Sequence, residues 1–113
     1  MEQLEVINCG LGDLAEKQDH VTKAYRRNEN TRAALEEHNF QRERLFQELK
    51  ETFQTGEMSV SLDELNFETR RYGQQLREKL LESEQQLKKR RRTLEEQEEE
   101  LYRKRRKAAE EAR

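Results

Sequence analysis

Proline and tryptophan are absent from this sequence of 113 residues, which has only four glycines and one cysteine. Without proline, long helices can run uninterrupted, because proline removes a backbone donor and clashes with the preceding turn. The lone cysteine, Cys9, excludes an internal disulfide and a cysteine-based zinc cluster. Hydrophobic residues make up only 31% of the chain, too few for a rounded core. We therefore expect them to form a narrow seam between helices.

The charges are abundant but balanced. Charged residues make up 42% of the chain, yet the formal net charge is only -2, so the whole chain is neither a polycation nor an acidic tail. Because disorder usually combines low hydrophobicity with high net charge, the abundance of helix formers favours a folded α-helical chain. No apolar run approaches the roughly 20 residues of a membrane span, and the first residues lack a signal-peptide pattern. We therefore expect a cytoplasmic protein.

A heptad pattern runs through the first half of the sequence. Asp13 and Glu16 offer a capping pair, so the first helix is predicted over about 13–55. Two glycines precede this pair, and residues 1–12 are expected to fray or to form a short separate helix. The seam positions advance by alternating steps of three and four, as a left-handed coiled coil requires: Leu4, Ile7, Leu11, Leu14, Gln18, Val21, Tyr25, Asn28, Arg32, Leu35, Asn39, Arg42, Phe46, Leu49 and Phe53.

The segment 56–61 predicts the tip of a hairpin. Gly56 suits the left-handed conformation that ends a helix. Ser61 and Glu64 form a capping box, which predicts a second helix over 62–112. Because so short a connection makes neighbouring helices antiparallel, the predicted fold of the whole chain is all-α, a long antiparallel two-helix coiled-coil hairpin.

The seam predicted for the second helix is uneven. It begins with Leu62, Leu65, Thr69, Tyr72 and Leu76. The two successive four-residue steps that end at Leu80 predict a stutter. Beyond that point only one apolar residue remains in each heptad, so we expect the later half of the helix to be less protected from exchange. These residues are Leu87, Leu94, Leu101 and Ala108.

Other motifs carry little chemistry. The basic run 88–92 is a candidate nucleic-acid patch, but the acidic run 95–100 follows directly and would repel a phosphate backbone. His20 and His38 lack a second ligand one helical turn away, so no metal site is expected. The sequence has neither a phosphate-binding glycine loop nor a nucleophile motif, and it predicts no enzyme and no cofactor.

Exposed aromatic residues are the candidates for partner binding. Phe67 lies off the predicted seam near the tip and could anchor a partner. Tyr72 and Leu76 fit the seam of the hairpin, which is the favoured interpretation from the heptad pattern, although they suit an interface as well.

The layout of the sequence resembles the stalk proteins of bacterial type III export systems, the flagellar FliJ and the virulence-associated SctO (YscO, HrpO) families. The similar features are a heptad helix with 42–46 before the tip, the restart at 60–65, and the charged run 98–106 near the end. The resemblance implies a cytoplasmic hairpin without chemistry of its own. It would dock on the hexameric export ATPase and on the export gate, with secretion chaperones as further partners.

In that family the contact with the export gate uses an aromatic residue and an aliphatic residue four positions later, both early in the second helix. Tyr72 and Leu76 have this spacing, and Leu80 follows one turn on, so these three and Phe67 are the predicted partner-binding residues. A generic dimerising coiled-coil scaffold or tether, in which each helix pairs with another copy, remains an open alternative. A nucleic-acid-binding helical protein is a third.

Overall fold

The computed structural model describes residues 2–112, which form two long helices and a short loop. Helix α1 is Glu2–Thr52 and helix α2 is Glu57–Glu111. The predicted all-α helical hairpin is thereby confirmed. Over the described residues, neither helix contains a stretch with the length and hydropathy needed to span a membrane.

Helix α1 begins earlier than predicted. Residues 2–12 are helical, so the predicted start near residue 13 is wrong; Met1 lies outside the described residues. Glycine inside a helix costs about 1 kcal/mol relative to alanine, which is why the two glycines predicted a later start. At Gly10 the two helices pack closely, because a Cβ atom there would lie only 3.2 Å from Leu101 Cδ1. The missing side chain lets Leu101 approach the backbone of α1.

The loop also differs from the predicted tip. It spans residues 53–56, and α2 begins at Glu57, so the predicted capping box of Ser61 and Glu64 lies inside the helix and is wrong. Gly56 does have the predicted left-handed conformation, with φ at 89°. It directly precedes α2, where its positive φ redirects the chain between the two helices.

Three contacts fix the loop in place of the capping box. The carbonyl oxygen of Gly56 accepts a hydrogen bond from the amide of Val60 at 3.3 Å. The buried Ser59 hydroxyl donates to the Gln54 carbonyl at 3.4 Å and accepts from Lys50 Nζ at 2.6 Å. Because Ser59 is held against the end of α1, it becomes the first seam residue of α2.

The chain divides into two compact units, each built from both helices. The terminal unit comprises the chain up to Arg26 and from Glu84 onward, and it contains a hydrophobic cluster. Leu14, Val21 and Leu94 are its buried members. Partly buried side chains pack against them: Tyr25, Leu87 and Leu101.

Leu94 is deeply buried, although the seam of α2 is thin there, as predicted, with Arg90 and Gln97 exposed. Its side chain is only 3% exposed, the lowest value among the buried hydrophobic residues described. Helix α2 does supply one apolar residue per heptad in this unit, but the buried side chains beside Leu94 come from two successive heptads of α1, Leu14 and Val21. Each leucine of α2 therefore packs among several apolar neighbours.

The loop-proximal unit, Arg27–Ser83, has a different α2 seam from the predicted one. Leu65 and Tyr72 are 51% and 67% exposed, so their placement in the seam is wrong. Asn66 and Gly73 occupy the seam instead, and the three-four steps continue without the predicted stutter. The buried or half-buried positions are Ser59, Leu62, Asn66, Thr69, Gly73, Leu80 and Ser83.

Candidate partner-binding surface

The seam of the loop-proximal unit is largely polar. Asn28 Nδ2 donates to Ser83 Oγ at 3.0 Å, and Arg42 Nη1 donates to the Thr69 carbonyl at 2.9 Å. Gly73 makes room for a side chain of α1, since a Cβ atom there would lie 3.2 Å from Asn39 Oδ1. Such contacts specify the pairing of the helices but bury little apolar area.

Several polar atoms in this seam have no hydrogen-bond partner within the described chain. They are Asn39 Oδ1, Arg42 Nε and Asn66 Oδ1, and all three atoms are buried. A buried donor or acceptor without a partner costs about 1 to 3 kcal/mol. This unit therefore gains less stability from its seam than its length suggests.

One side of the seam carries two ion pairs, Glu43 with Arg70 and Lys50 with Asp63, and we call it the ion-pair flank. A groove of about 590 Å³ also opens on this side. Arg70 donates through Nε and Nη2 to the two carboxylate oxygens of Glu43, each at 2.6 Å. The hydrogen bond from Arg70 lowers the pKa of Glu43 below its usual value, and the charge of Arg70 adds to that effect. Lys50 Nζ lies 3.0 and 3.1 Å from the two carboxylate oxygens of Asp63.

The other side of the seam is open and apolar. Tyr72 lies there beside His38 of α1, because both line one groove. Leu65 and Met58 precede Tyr72 by seven and fourteen residues, and Leu45 follows His38 by seven, so all lie on this side. We call Leu45, Met58, Leu65 and Tyr72 the apolar flank; each is more than half exposed.

The groove on this side has a volume of about 180 Å³. Leu35 and Leu76 contribute apolar walls, while Asn39, Arg42, Thr69 and Gly73 form its floor along the seam. Leu76 is 52% exposed although it occupies a seam position. The groove is therefore an opening between the helices, where apolar side chains of both reach solvent.

The four predicted partner-binding residues are distributed over more than one face. Tyr72 and Leu76 lie together in the groove, as their spacing predicts. Phe67 is exposed on the outer face of α2, seven residues after Val60 and fourteen before Leu81. Leu80 is half-buried in the seam. The structure thus brings Tyr72 and Leu76 into one groove and leaves Phe67 and Leu80 apart from it.

Sequence reasoning missed Leu45, Met58 and Leu65 as surface residues. Met58 falls within the predicted tip 56–61, and Leu65 falls within the predicted seam. The seven-residue spacing from Met58 through Leu65 to Tyr72 was visible in the sequence. The apolar pattern favours Leu65 and Tyr72 as seam residues, whereas contacts distant in sequence place Asn66 and Gly73 in the seam instead.

The basic runs of the terminal unit are partly committed to packing. Arg91 Cζ lies 5.2 Å from the centre of the Tyr25 ring, and Arg105 Cζ lies 4.7 Å from that of Tyr102. Arg91 also pairs with Glu95 at 3.9 Å. Within residues 2–112, no set of three His, Cys, Asp or Glu side chains is arranged to hold a metal ion.

Fold and surface together define an all-α hairpin protein with one ion-paired flank and one open apolar flank. The chain belongs to the family described as protein of unknown function (DUF3958), whose model matches residues 2–108. No curated protein and no solved structure matches the chain.

Proposed function

We propose that this chain is a non-enzymatic helical hairpin protein that binds a partner protein through its loop-proximal unit. The observation that carries the proposal is the distribution of exposed large apolar side chains. Ten of the twelve among the described residues lie within Arg27–Ser83. Exposed apolar patches commonly mark interaction sites. The ten are Phe40, Leu45, Phe53, Met58, Val60, Leu65, Phe67, Tyr72, Leu76 and Leu81.

The resemblance to type III export stalks gives this proposal a specific form. In that form the hairpin is cytoplasmic and docks on the export ATPase ring and the export gate, with secretion chaperones as further partners. Support comes from the exposure of Tyr72 and Leu76, because an exposed aromatic beside an aliphatic residue is a common makeup of an interface anchor. Phe67 offers a second exposed ring, and Leu80 lies half-buried in the seam.

The double substitution Tyr72→Ala with Leu76→Ala tests the gate contact. We expect the affinity for the purified cytoplasmic domain of an export-gate protein to fall about tenfold or more, or about 1.4 kcal/mol. Circular dichroism of the same samples should show little loss of helix, since both side chains are largely exposed. Phe46→Ala is the control for folding, because Phe46 is buried and its truncation should lower stability.

A folded double mutant with full gate affinity would remove this contact from the proposal. If the unmodified chain binds neither the gate domain nor the export ATPase, the export assignment is wrong, whereas the general partner-binding proposal is still open to test. Light scattering at increasing concentration addresses the dimerising scaffold. The loop contacts of Gly56 and Ser59 favour pairing within one chain, so we expect a monomer.

A further inference from the structure

The apolar stripe of α2 in the loop-proximal unit is rotated away from its seam. Leu65 and Tyr72 each precede a seam residue, Asn66 or Gly73, by one position, which corresponds to about 100° around the helix. Hydrophobic residues at a third heptad position beside the seam are typical of helices that face a bundle of more than two helices. The edge of this stripe that contains Leu62 therefore packs against α1. The edge that contains Leu65 and Tyr72 is not covered by the described chain.

Helix α1 presents a matching side chain. Leu45 directly precedes the buried Phe46 and lies on the apolar flank. The groove at Tyr72 continues this surface between the helices. A single helix laid along the apolar flank would contact both α1 and α2, as a third helix does in a bundle.

The charges that border the apolar flank indicate which helix would fit. The positions that lie just beyond the apolar flank, on its side away from the seam, form its border. They are Gln41 and Glu48 on α1 and Ser61, Glu68 and Gln75 on α2. These five positions contain two glutamates and no lysine or arginine, and the nearest cation on the line of the apolar flank along α2 is Lys79, seven residues after Tyr72. Glu48 shares an exposed ion pair with Arg44 at 3.5 Å, which contributes little to stability.

On the opposite side, in the ion-pair flank, Lys50 and Arg70 bind carboxylates of the same chain. A second copy that presented its own apolar flank would place an acidic border against an acidic border, which disfavours association. A helix with basic borders would meet opposite charges on both sides.

We infer that the apolar flank binds an amphipathic α-helix of a partner protein whose apolar stripe is bordered by lysine and arginine. This inference rests on the proposed function and specifies its partner. The bound helix would cover Leu45, Met58, Leu65 and Tyr72 and enter the groove beside Leu76. Its basic side chains would approach Glu48 and Glu68.

Two designed peptides provide the probe. Each is a fluorescent helix of about 21 residues, or three heptads, with the same leucine stripe. Lysine borders the stripe in one peptide and glutamate borders it in the other. Titration of each with the full chain, followed by fluorescence anisotropy, should show the lysine-bordered peptide binding about tenfold tighter, and the preference should shrink as salt rises.

Matched variants of the full chain locate the binding face. Leu45→Ala with Leu65→Ala should weaken binding of the lysine-bordered peptide about tenfold. Val60→Ala with Leu81→Ala is the control on the outer face of α2, where the two side chains are 58% and 46% exposed against 54% and 51% for the first pair. This control should change the affinity less than about twofold. Glu48→Lys with Glu68→Lys should reverse the preference between the peptides.

Several results would overturn the inference. Equal affinity for both peptides would remove the charge argument, and failure of both to bind would remove the helix-binding face. A dimer of the chain that Leu45→Ala with Leu65→Ala abolishes would make a second copy the occupant. A loss of binding only in the Val60/Leu81 control would move docking to another face, which defeats the inference but not the proposed function. The gate and ATPase assays test that function separately.

Discussion

Truncation of Leu94 to alanine is the sharpest test of where this hairpin obtains its stability. Leu94 is the most buried of the hydrophobic side chains described, and it packs with Leu14 and Val21 in the terminal unit. The uneven heptads of the sequence suggested that this region would be weak. The structure makes the opposite prediction, because one buried leucine of α2 is surrounded by apolar side chains of α1.

The size of the effect follows from burial. Removing the buried atoms of a leucine forfeits about 2 kcal/mol of transfer free energy, and the cavity that remains raises the cost to about 3 kcal/mol. Partly buried Tyr25, Leu87 and Leu101 border the site, and their ability to close the cavity sets the exact cost. Since single domains are typically stable by about 5 to 15 kcal/mol, the loss would be a large part of the total.

Urea denaturation followed by circular dichroism measures this cost. With a slope of about 2 kcal/mol per M, Leu94→Ala should lower the unfolding midpoint by about 1.5 M. The matched control is Leu65→Ala, which removes the same atoms from a position that is half exposed and should cost well under half as much. If the two variants unfold at the same urea concentration, the cluster around Leu94 does not stabilise the protein as described.

Two further predictions concern the backbone and the ion-pair flank. Gly56→Ala should lower the free energy of unfolding by about 1 kcal/mol or more, because alanine is strained at a φ of 89°. Gly12→Ala is the control: nothing lies within 4 Å of the added Cβ atom, so this variant should raise the free energy of unfolding by up to about 1 kcal/mol. Thermal melts that fail to separate the two variants would contradict the loop geometry. The pKa of Glu43 is lowered by Arg70, so its carboxylate stabilises the fold above the pKa of the unfolded chain, and that stabilisation is lost as pH falls through the lowered folded pKa. Glu43→Gln should therefore flatten this part of the acid-side profile of unfolding, and an unchanged profile would show that the pair contributes nothing measurable.

The seam of α1 was predictable because its pattern is long and regular. Ile7, Leu14, Val21 and Phe46 are buried at the expected positions. Many successive heptads leave only one face that can pack against a partner, so the polar interruptions did not obscure it. The left-handed conformation of Gly56 was predictable for a different reason, since glycine is the residue that adopts it at least cost.

The seam of α2 near the loop could not be predicted in the same way. Its apolar pattern favours Leu65 and Tyr72, but the buried positions are Asn66 and Gly73. The position of the seam is set by contacts distant in sequence, such as Arg42 with the Thr69 carbonyl and Arg70 with Glu43. Local pattern alone does not contain these contacts, and for the same reason the apolar flank was missed.

The loop-proximal unit combines two features that explain each other if a partner helix binds there. Its seam contains buried polar atoms without partners in the described chain, each costing about 1 to 3 kcal/mol. Its apolar flank leaves four large side chains exposed, and covering each would contribute about 1 kcal/mol. A helix on that flank would supply the apolar burial that the polar seam lacks. By linkage, a ligand that binds only the folded hairpin raises its free energy of unfolding as its concentration exceeds the Kd. Partner binding and stability of this unit should therefore rise together.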